Sequence, residues 1–342
     1  KREWAEYLQG LTVFVWCEPD AAGAKFVAKI GESLPDCLVI TPPVGRKDIS
    51  ECHLLGDDIP ALVDGLRMTA RPCREIAAEI KSQAAAQAKQ AAGSLLTAPD
   101  ILGRFSDLCT TLGLIGEYRT ACLLYLAITS RLLDKPISVA VKGPSSGGKS
   151  YTVETTLRAF PESAFYALSS MSDRSLAYSD EPLSHRILVL YEAAGITSDL
   201  GTYLMRTLLS EGRIRYETVE KTAEGLKPKL IERDGPTGLI VTTTWASLHP
   251  ENETRMLSVT VRDDREQTRG VLHSLADRTN GHGPASVDLA PWHGLRSWLE
   301  LAGSRSVSIP YAHDIAEKAD PKAVRLRRDF GQLLGLISAH AI

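Results

Sequence analysis

The chain has 342 residues, room for two or three domains that each bury a core. An apolar fraction of 44%, a charged fraction of 24% and a net charge of −3 exclude a disordered chain and a global basic field, so any nucleic-acid contact must come from a local patch. No run of about 18 apolar residues is present and no secretory leader opens the chain, which points to a cytoplasmic protein with no membrane partner. The six cysteines form no CxxC pair and read as reduced thiols, and His53 beside Cys52 has no further ligand at metal spacing. The chain lacks an initiator Met and ends on an apolar helical pattern, so the expectation is an internal fragment of a longer protein.

Residues 1–66 read as a small α/β unit, with a strand over Leu11–Cys17, a helix over Ala21–Ile30 and a second strand over Cys37–Thr41. From about Arg71 to Ala92 the chain is rich in Ala, Lys, Gln and Glu, a solvent-facing linker helix that residues 93–100 break. Ile101–Leu133 carries apolar residues at helical spacing, enough for two helices. Residues 137–275 alternate strands and helices, which implies a sheet sandwiched by helices, and residues 286–342 read as a separate helical lid.

The strongest signal follows the apolar run Ile137–Val141. Gly143, Pro144, Ser145, Ser146, Gly147, Gly148, Lys149 and Ser150 fill every fixed position of a phosphate-binding P-loop. Backbone N–H groups of such a loop and of the next helix cradle phosphate oxygens, Lys149 reaches the β- and γ-phosphates, and Ser150 ligates Mg²⁺. The expected ligands are ATP and Mg²⁺.

A second strand, Arg186–Leu190, ends in Tyr191-Glu192, and ligand chemistry in such sheets sits at the carboxyl ends of strands. Glu192 is placed to orient or deprotonate a water, or simply to end a buried strand. Tyr191 stands where an Asp is usual. After a helix over Tyr203–Glu211, the strand Arg213–Val219 and a returning strand Leu230–Arg233 make a hairpin, with residues 220–229 as its turn and Lys221, Lys227 and Lys229 at the tip. These lysines either grip DNA phosphates or keep an ordinary hairpin solvated. The strand Gly238–Val241 leads to Thr242, Thr243 and Thr244. Thr244, with Thr243 next, is the candidate for sensing the γ-phosphate, against plain β-propensity. Arg255 lies on a loop before the strand Met256–Val261, either as an arginine finger for a neighbouring subunit or paired with Glu251 or Glu253.

This order of parts resembles AAA+ ATPases of the pre-sensor-1 hairpin clade, and within it MCM-like helicases, including replicative helicases of mobile elements. The last helix, from Arg328 to Ala339-His340-Ala341, is similar to the MCM lid helix. The resemblance makes Arg328 a sensor-2 arginine, with Arg325 and Arg327 as alternatives. It implies an AAA+ three-layer αβα core over residues 98–278 and a helical lid over 279–342, after a linker at 69–97. Residues 1–68 resemble part of a TOPRIM primase domain. Glu18 and Asp20 after Thr12–Trp16 match its two-acid strand end, and Asp48 its later Asp loop, as Mg²⁺ ligands; the other reading is a Pro-Asp turn capping a helix. The family's earlier catalytic Glu strand is missing. The resemblance implies an ATP-driven DNA helicase of primase-helicase type, a hexamer on single-stranded or forked DNA. The alternatives are a RecA-type primase-helicase, a non-helicase AAA+ remodeller or loader of a replication protein, and a DNA-binding scaffold with a vestigial nucleotide site.

Overall fold

The computed structural model describes residues 7–8, 10–172, 175–192, 199–222, 225–244, 250–284 and 286–342. The chain divides into two units, residues 1–87 and 88–342.

In the first unit β1 (Phe14–Trp16) and β2 (Leu38–Ile40) pair in parallel, with α1 (Ala21–Ser33) as the crossover. α2 (Ile49–Leu54) and α3 (Ile59–Met68) precede β3 (Arg71–Pro72), which adds antiparallel to β2, and α4 (Cys73–Ala92) starts directly after it. The boundary between the units falls within α4. Val15, Val27, Cys37, Val39 and Cys73 form this unit's small core.

The helix starts are written locally. Asp20, Asp48, Asp58, Asp100 and Asp264 each accept a hydrogen bond from the backbone N–H three residues on, at 2.8–3.3 Å. Each such cap is worth about 0.5–2 kcal/mol.

The second unit begins with a 3₁₀ turn, Gly93–Thr97, then α5 (Ile101–Thr111) and α6 (Tyr118–Thr129). There follow β4 (Val139–Lys142), α7 (Lys149–Leu157), β5 (Phe165–Leu168), α8 (Ser175–Tyr178), β6 (Arg186–Leu190) and α9 (Asp199–Glu211). Then come β7 (Ile214–Thr222), β8 (Gly225–Arg233), β9 (Thr237–Thr243), α10 (Pro250–Glu253), β10 (Leu257–Thr260) and α11 (Arg265–Thr279). Three helices complete the chain, α12 (Ala290–Ala302), α13 (Ala312–Lys318) and α14 (Leu326–Ala341).

The main sheet has the order β10-β4-β9-β6-β5, and every neighbouring pair is parallel. Alternation along the strands splits the apolar side chains between two cores. Val139, Val141, Ile187, Val189 and Ile240 pack with Phe105, Leu124 and Val153 of α5, α6 and α7. Ala140, Leu188, Leu190, Leu239 and Val241 pack with Leu204, Met205 and Leu208 of α9. Strands apolar on both sides are those of a covered parallel sheet, so the sandwich expected from the sequence is present.

The hairpin differs from its sequence reading. β7 continues to Thr222 and β8 begins at Gly225, so Lys221, Lys227 and Lys229 lie within strands, and of the expected turn only residues 223–224, outside the described residues, connect them. Pro228 is tolerated there because, among the described residues, β8 pairs only with β7 and its other edge needs no N–H. No helix among the described residues is long and apolar enough to cross a membrane.

Candidate functional site

β4 delivers the chain into the 143–148 turn, and α7 takes it away. The turn closes through Ser146 at φ 62° and Gly148 at φ 81°. Gly148 is the N-cap of α7 and no side chain caps it, so the first-turn N–H groups stay open to an outside acceptor. Lys149 Nζ donates to Gly143 O at 3.1 Å and Pro144 O at 2.6 Å, which holds the ammonium against the loop. An uncapped helix start with a lysine beside it fits a polyphosphate, and Ser150 on the same cleft fits the magnesium ion such a group carries.

That cleft, of about 440 Å³, is lined by residues 145–151 and by Glu192, Thr242, Thr243 and Thr244. It therefore gathers Lys149, Ser150, Glu192 and Thr244 from three separate strand ends. Leu190 of β6 is in register with Val241 of β9, which brings the residues just beyond them side by side. Glu192 N–H donates to Thr242 Oγ1 at 3.1 Å. Glu192 has φ 68°, a left-handed backbone that is uncommon outside glycine and costs about 1–3 kcal/mol. Thr244 lies exposed past the end of β9, and its carbonyl accepts from Thr243 Oγ1 at 2.8 Å. Tyr191 packs against the first core; burial, and then the charge of Glu154, push its phenol up to about 12, so it stays neutral.

A second cleft of about 410 Å³ opens on the other side of the same loop. It shares Ser145–Gly148 and Tyr151 with the first, and its walls are the 113–115 turn and α11. Gly116, at φ 75°, brings that turn onto α11, where the Gln267 amide donates to Ile115 O. Glu117 is buried and accepts from Arg262 N at 2.5 Å and from Thr120 Oγ1 at 2.7 Å.

Arg255 and Arg328 line neither cleft. They meet each other at the opposite end of the sheet, where β10 begins, in a site lined by Arg206, Glu251, Thr254, Arg255 and Arg328. Arg255 donates from Nε to Ser210 Oγ at 2.8 Å and from Nη1 to Glu251 O at 2.5 Å. Arg328 Nη1 donates to Thr254 Oγ1 at 2.9 Å, and Gln332 Nε2 to Arg255 O at 3.0 Å, so α14 docks on the Arg255 loop. Arg206 Nη2 pairs with Glu251 Oε2 at 2.6 Å. Three guanidinium groups thus line the site with one carboxylate, Glu251, which pairs with Arg206. Partial burial, and then repulsion from Arg328 and Arg206, lower the Arg255 pKa. Such a surplus of positive charge favours an anion.

The hairpin lysines do not share a face. Cross-strand pairing puts Lys227 and Lys229 on one side with Thr218 and Glu220, and Lys229 pairs with Glu220 at 2.9 Å. Lys221 is on the other side with Val219, Leu226, Pro228 and Leu230. Over residues 214–233 the sequence has five basic and four acidic side chains, so the hairpin is mixed in charge and carries an exposed apolar stripe.

In the first unit Glu18 and Asp20 converge on Lys47, whose Nζ lies 3.5 and 3.7 Å from their carboxylates. The Gly23 N–H, with Lys47 adding to it, holds the Asp20 carboxyl below the usual range. Asp20 and Asp48 cap α1 and α2, the second reading of that motif. Among the described residues no group of three or more His, Cys, Asp or Glu could hold a metal ion.

Residues 88–288 match the MTBMA_p00010 P-loop domain. The chain belongs to that family. It carries a P-loop NTPase domain, and such domains bind nucleotide with Mg²⁺. The matched stretch holds both clefts, the hairpin and Arg255, whereas Arg328 lies beyond it. None of the curated proteins compared matches the chain.

Sequence reasoning missed Thr242, Arg206 and the α11 wall. Thr242 was readable from strand alternation, since it faces the cleft two residues before Thr244. Arg206 sits on an amphipathic helix with no motif around it. The wall shows in the sequence only as Val271, Leu272 and Leu275 on an otherwise polar helix.

Proposed function

We propose that the protein is an ATPase motor that hydrolyses ATP between copies of itself and moves along DNA, as the helicase part of a primase-helicase type replication protein. The observation that carries this reading is the position of Arg206, Arg255 and Arg328. These residues form an anion-seeking face beside the start of β10 and line neither of the clefts at the P-loop, a position that suits contact with the nucleotide of a second copy. Repetition of that contact gives a ring, here taken as a hexamer.

In this mechanism the P-loop N–H groups and Lys149 hold the phosphates, and Ser150 orients the metal-bound end. Bound Mg²⁺ supplies charge neutralisation on the β- and γ-phosphate oxygens. Glu192, fixed by its N–H bond to Thr242, positions and deprotonates the attacking water, with Thr244 at the cleft edge beside the γ-phosphate. Arg255, Arg328 and Arg206 of the next copy stabilise charge on the departing phosphoryl group. α12–α14 serve as a lid that carries Arg328. Lys227 and Lys229 meet the strand backbone. The first unit, with a parallel β1–α1–β2 crossover and two acids at the end of β1, is the TOPRIM-like part. A second reading, remodelling of a replication protein, is favoured by the apolar stripe of the hairpin.

Subunit mixing tests the shared site. Lys149→Ala and Arg255→Ala proteins are each expected to lack turnover. Mixed one to one, they regain a fraction of wild-type ATPase, because some boundaries then hold both an intact P-loop and an intact arginine face. Activity of Arg255→Ala equal to wild type would sink the proposal, as would a protein that stays monomeric with nucleotide and DNA. Strand separation on a forked substrate distinguishes a helicase from a remodeller.

A further inference from the structure

The cleft between the 113–115 turn and α11 has features that phosphate binding leaves unexplained. α11 lays Val271, Leu272 and Leu275 along it, and these remain 41, 62 and 52 % exposed. Arg278, one turn further along α11, lines the same cleft. Its Nη2 donates to Tyr151 Oη at 2.7 Å, and its Cζ lies 5.6 Å from the centre of the Tyr151 ring. Its Nε is buried without a hydrogen-bond partner, and the guanidinium makes no ion pair among the described residues. Tyr151 directly follows Ser150. Its hydroxyl donates toward Leu112 O and Gly113 O at 3.2 and 3.3 Å, so one phenol ties the P-loop helix, the 113–115 turn and α11 together.

We propose that Arg278 is a specificity-determining clamp for the nucleoside half of a nucleoside triphosphate, with the base lying on the apolar wall of α11 under the guanidinium plane, and that Tyr151 holds Arg278 in place. The proposal rests on the reading of the P-loop cleft as the phosphate site of the same chain. A guanidinium is flat and weakly hydrated, so it stacks on planar rings without needing a carboxylate partner. The two clefts share Ser145–Gly148, so a ligand whose phosphates lie along the loop has its nucleoside end directed into the second one. An inorganic polyphosphate has nothing to place there. Arg278 thus makes the site select nucleotides over phosphate chains.

The test compares two probes on the full chain by calorimetry, a non-hydrolysable ATP analogue and inorganic tripolyphosphate, each with Mg²⁺. Wild type is expected to prefer the nucleotide. Arg278→Ala should weaken nucleotide binding about ten- to hundredfold and leave tripolyphosphate within twofold. Tyr151→Phe should lose part of the same preference, because it removes the hydroxyl that holds Arg278. Leu272→Trp fills the cleft from an exposed position and serves if Arg278→Ala does not fold; it should abolish the preference in the same way. Equal losses for both probes, or no loss for either, in Arg278→Ala or Leu272→Trp would overturn the clamp. Lys149→Ala should weaken both probes. If it weakens neither, the P-loop reading falls instead, so the two failures are distinguishable.

Discussion

Thr242→Val tests whether the backbone of Glu192, rather than its side chain alone, is set for catalysis. The substitution keeps the shape of a side chain that is 1 % exposed and removes only its hydroxyl. That hydroxyl accepts the Glu192 N–H at 3.1 Å. Two effects oppose each other across this bond. Glu192 at φ 68° stores about 1–3 kcal/mol of backbone strain, and the hydrogen bond returns about 0.5–1.5 kcal/mol while sparing a half-buried N–H from lying unpaired. Without the hydroxyl, relaxation of residue 192 toward negative φ is favoured by about 1–2 kcal/mol, and in the proposed mechanism it swings the carboxylate off the water it would position. At about 1.4 kcal/mol per factor of ten, kcat should fall roughly five- to thirtyfold.

Steady-state phosphate release at saturating ATP and Mg²⁺ reads this directly. KM for the nucleotide should stay within about twofold, since Thr242 touches no phosphate-binding group of the P-loop. The melting temperature should fall by only about 2–6 °C. In a Glu192→Gln background, which already lacks the proposed base, Thr242→Val should reduce kcat no further. A kcat within twofold of wild type in the folded variant, or full additivity with Glu192→Gln, would refute the reasoning.

Gly116→Ala should destabilise the second unit by about 2–3 kcal/mol, because alanine pays for a left-handed φ of 75° and its Cβ would meet Gln267 Oε1 at 1.7 Å, displacing the Gln267–Ile115 bond. Thermal melting checks it, and an unchanged midpoint would show that the turn rearranges freely. For the hairpin, Lys227→Ala/Lys229→Ala should lower single-stranded DNA affinity and reduce the slope of log affinity against log salt by about one to two. The triple Val219→Ser/Leu226→Ser/Leu230→Ser should leave that slope alone. An equal slope change in both variants would remove phosphate gripping as the role of Lys227 and Lys229.

What the sequence made legible was whatever is encoded over a few neighbouring residues. The P-loop is contiguous, so its place between β4 and α7 followed from residues 137–150 alone. The Asp caps are equally local, and the buried strands β4, β6 and β9 announced themselves as apolar runs. Two things were not local. Whether Lys221, Lys227 and Lys229 share a face depends on hairpin register, and the break suggested by Gly225 and Pro228 set the turn too wide; with the strands reaching 222 and 225, the lysines divide between two faces. The grouping of Arg206, Arg255 and Arg328 depends on α9, α10 and α14 meeting where β10 begins, and nothing in the residues around Arg206 encodes that meeting. The surroundings of Glu18 and Asp20 are a third case. Two acids at a strand end read alike whether a metal ion or an ammonium group lies between them, and only the fold brings Lys47 there.

The arginine face and the P-loop are also joined within the chain. Lys142, the last residue of β4 and the one before Gly143, makes a largely buried ion pair with Glu253 at the end of α10. Thr254 and Arg255 follow at once and carry the contacts to Arg328 and Gln332. A buried pair of this kind is a poor source of stability, since desolvation of both charges offsets most of their attraction. It is a strong constraint on position, because separating the partners strands a charge in the protein interior. Any displacement of the P-loop root is therefore shared by the start of the Arg255 loop. In the proposed ring this makes the two faces of one subunit interdependent: the loop that holds its own nucleotide also sets how its arginines are offered to the nucleotide of the next copy.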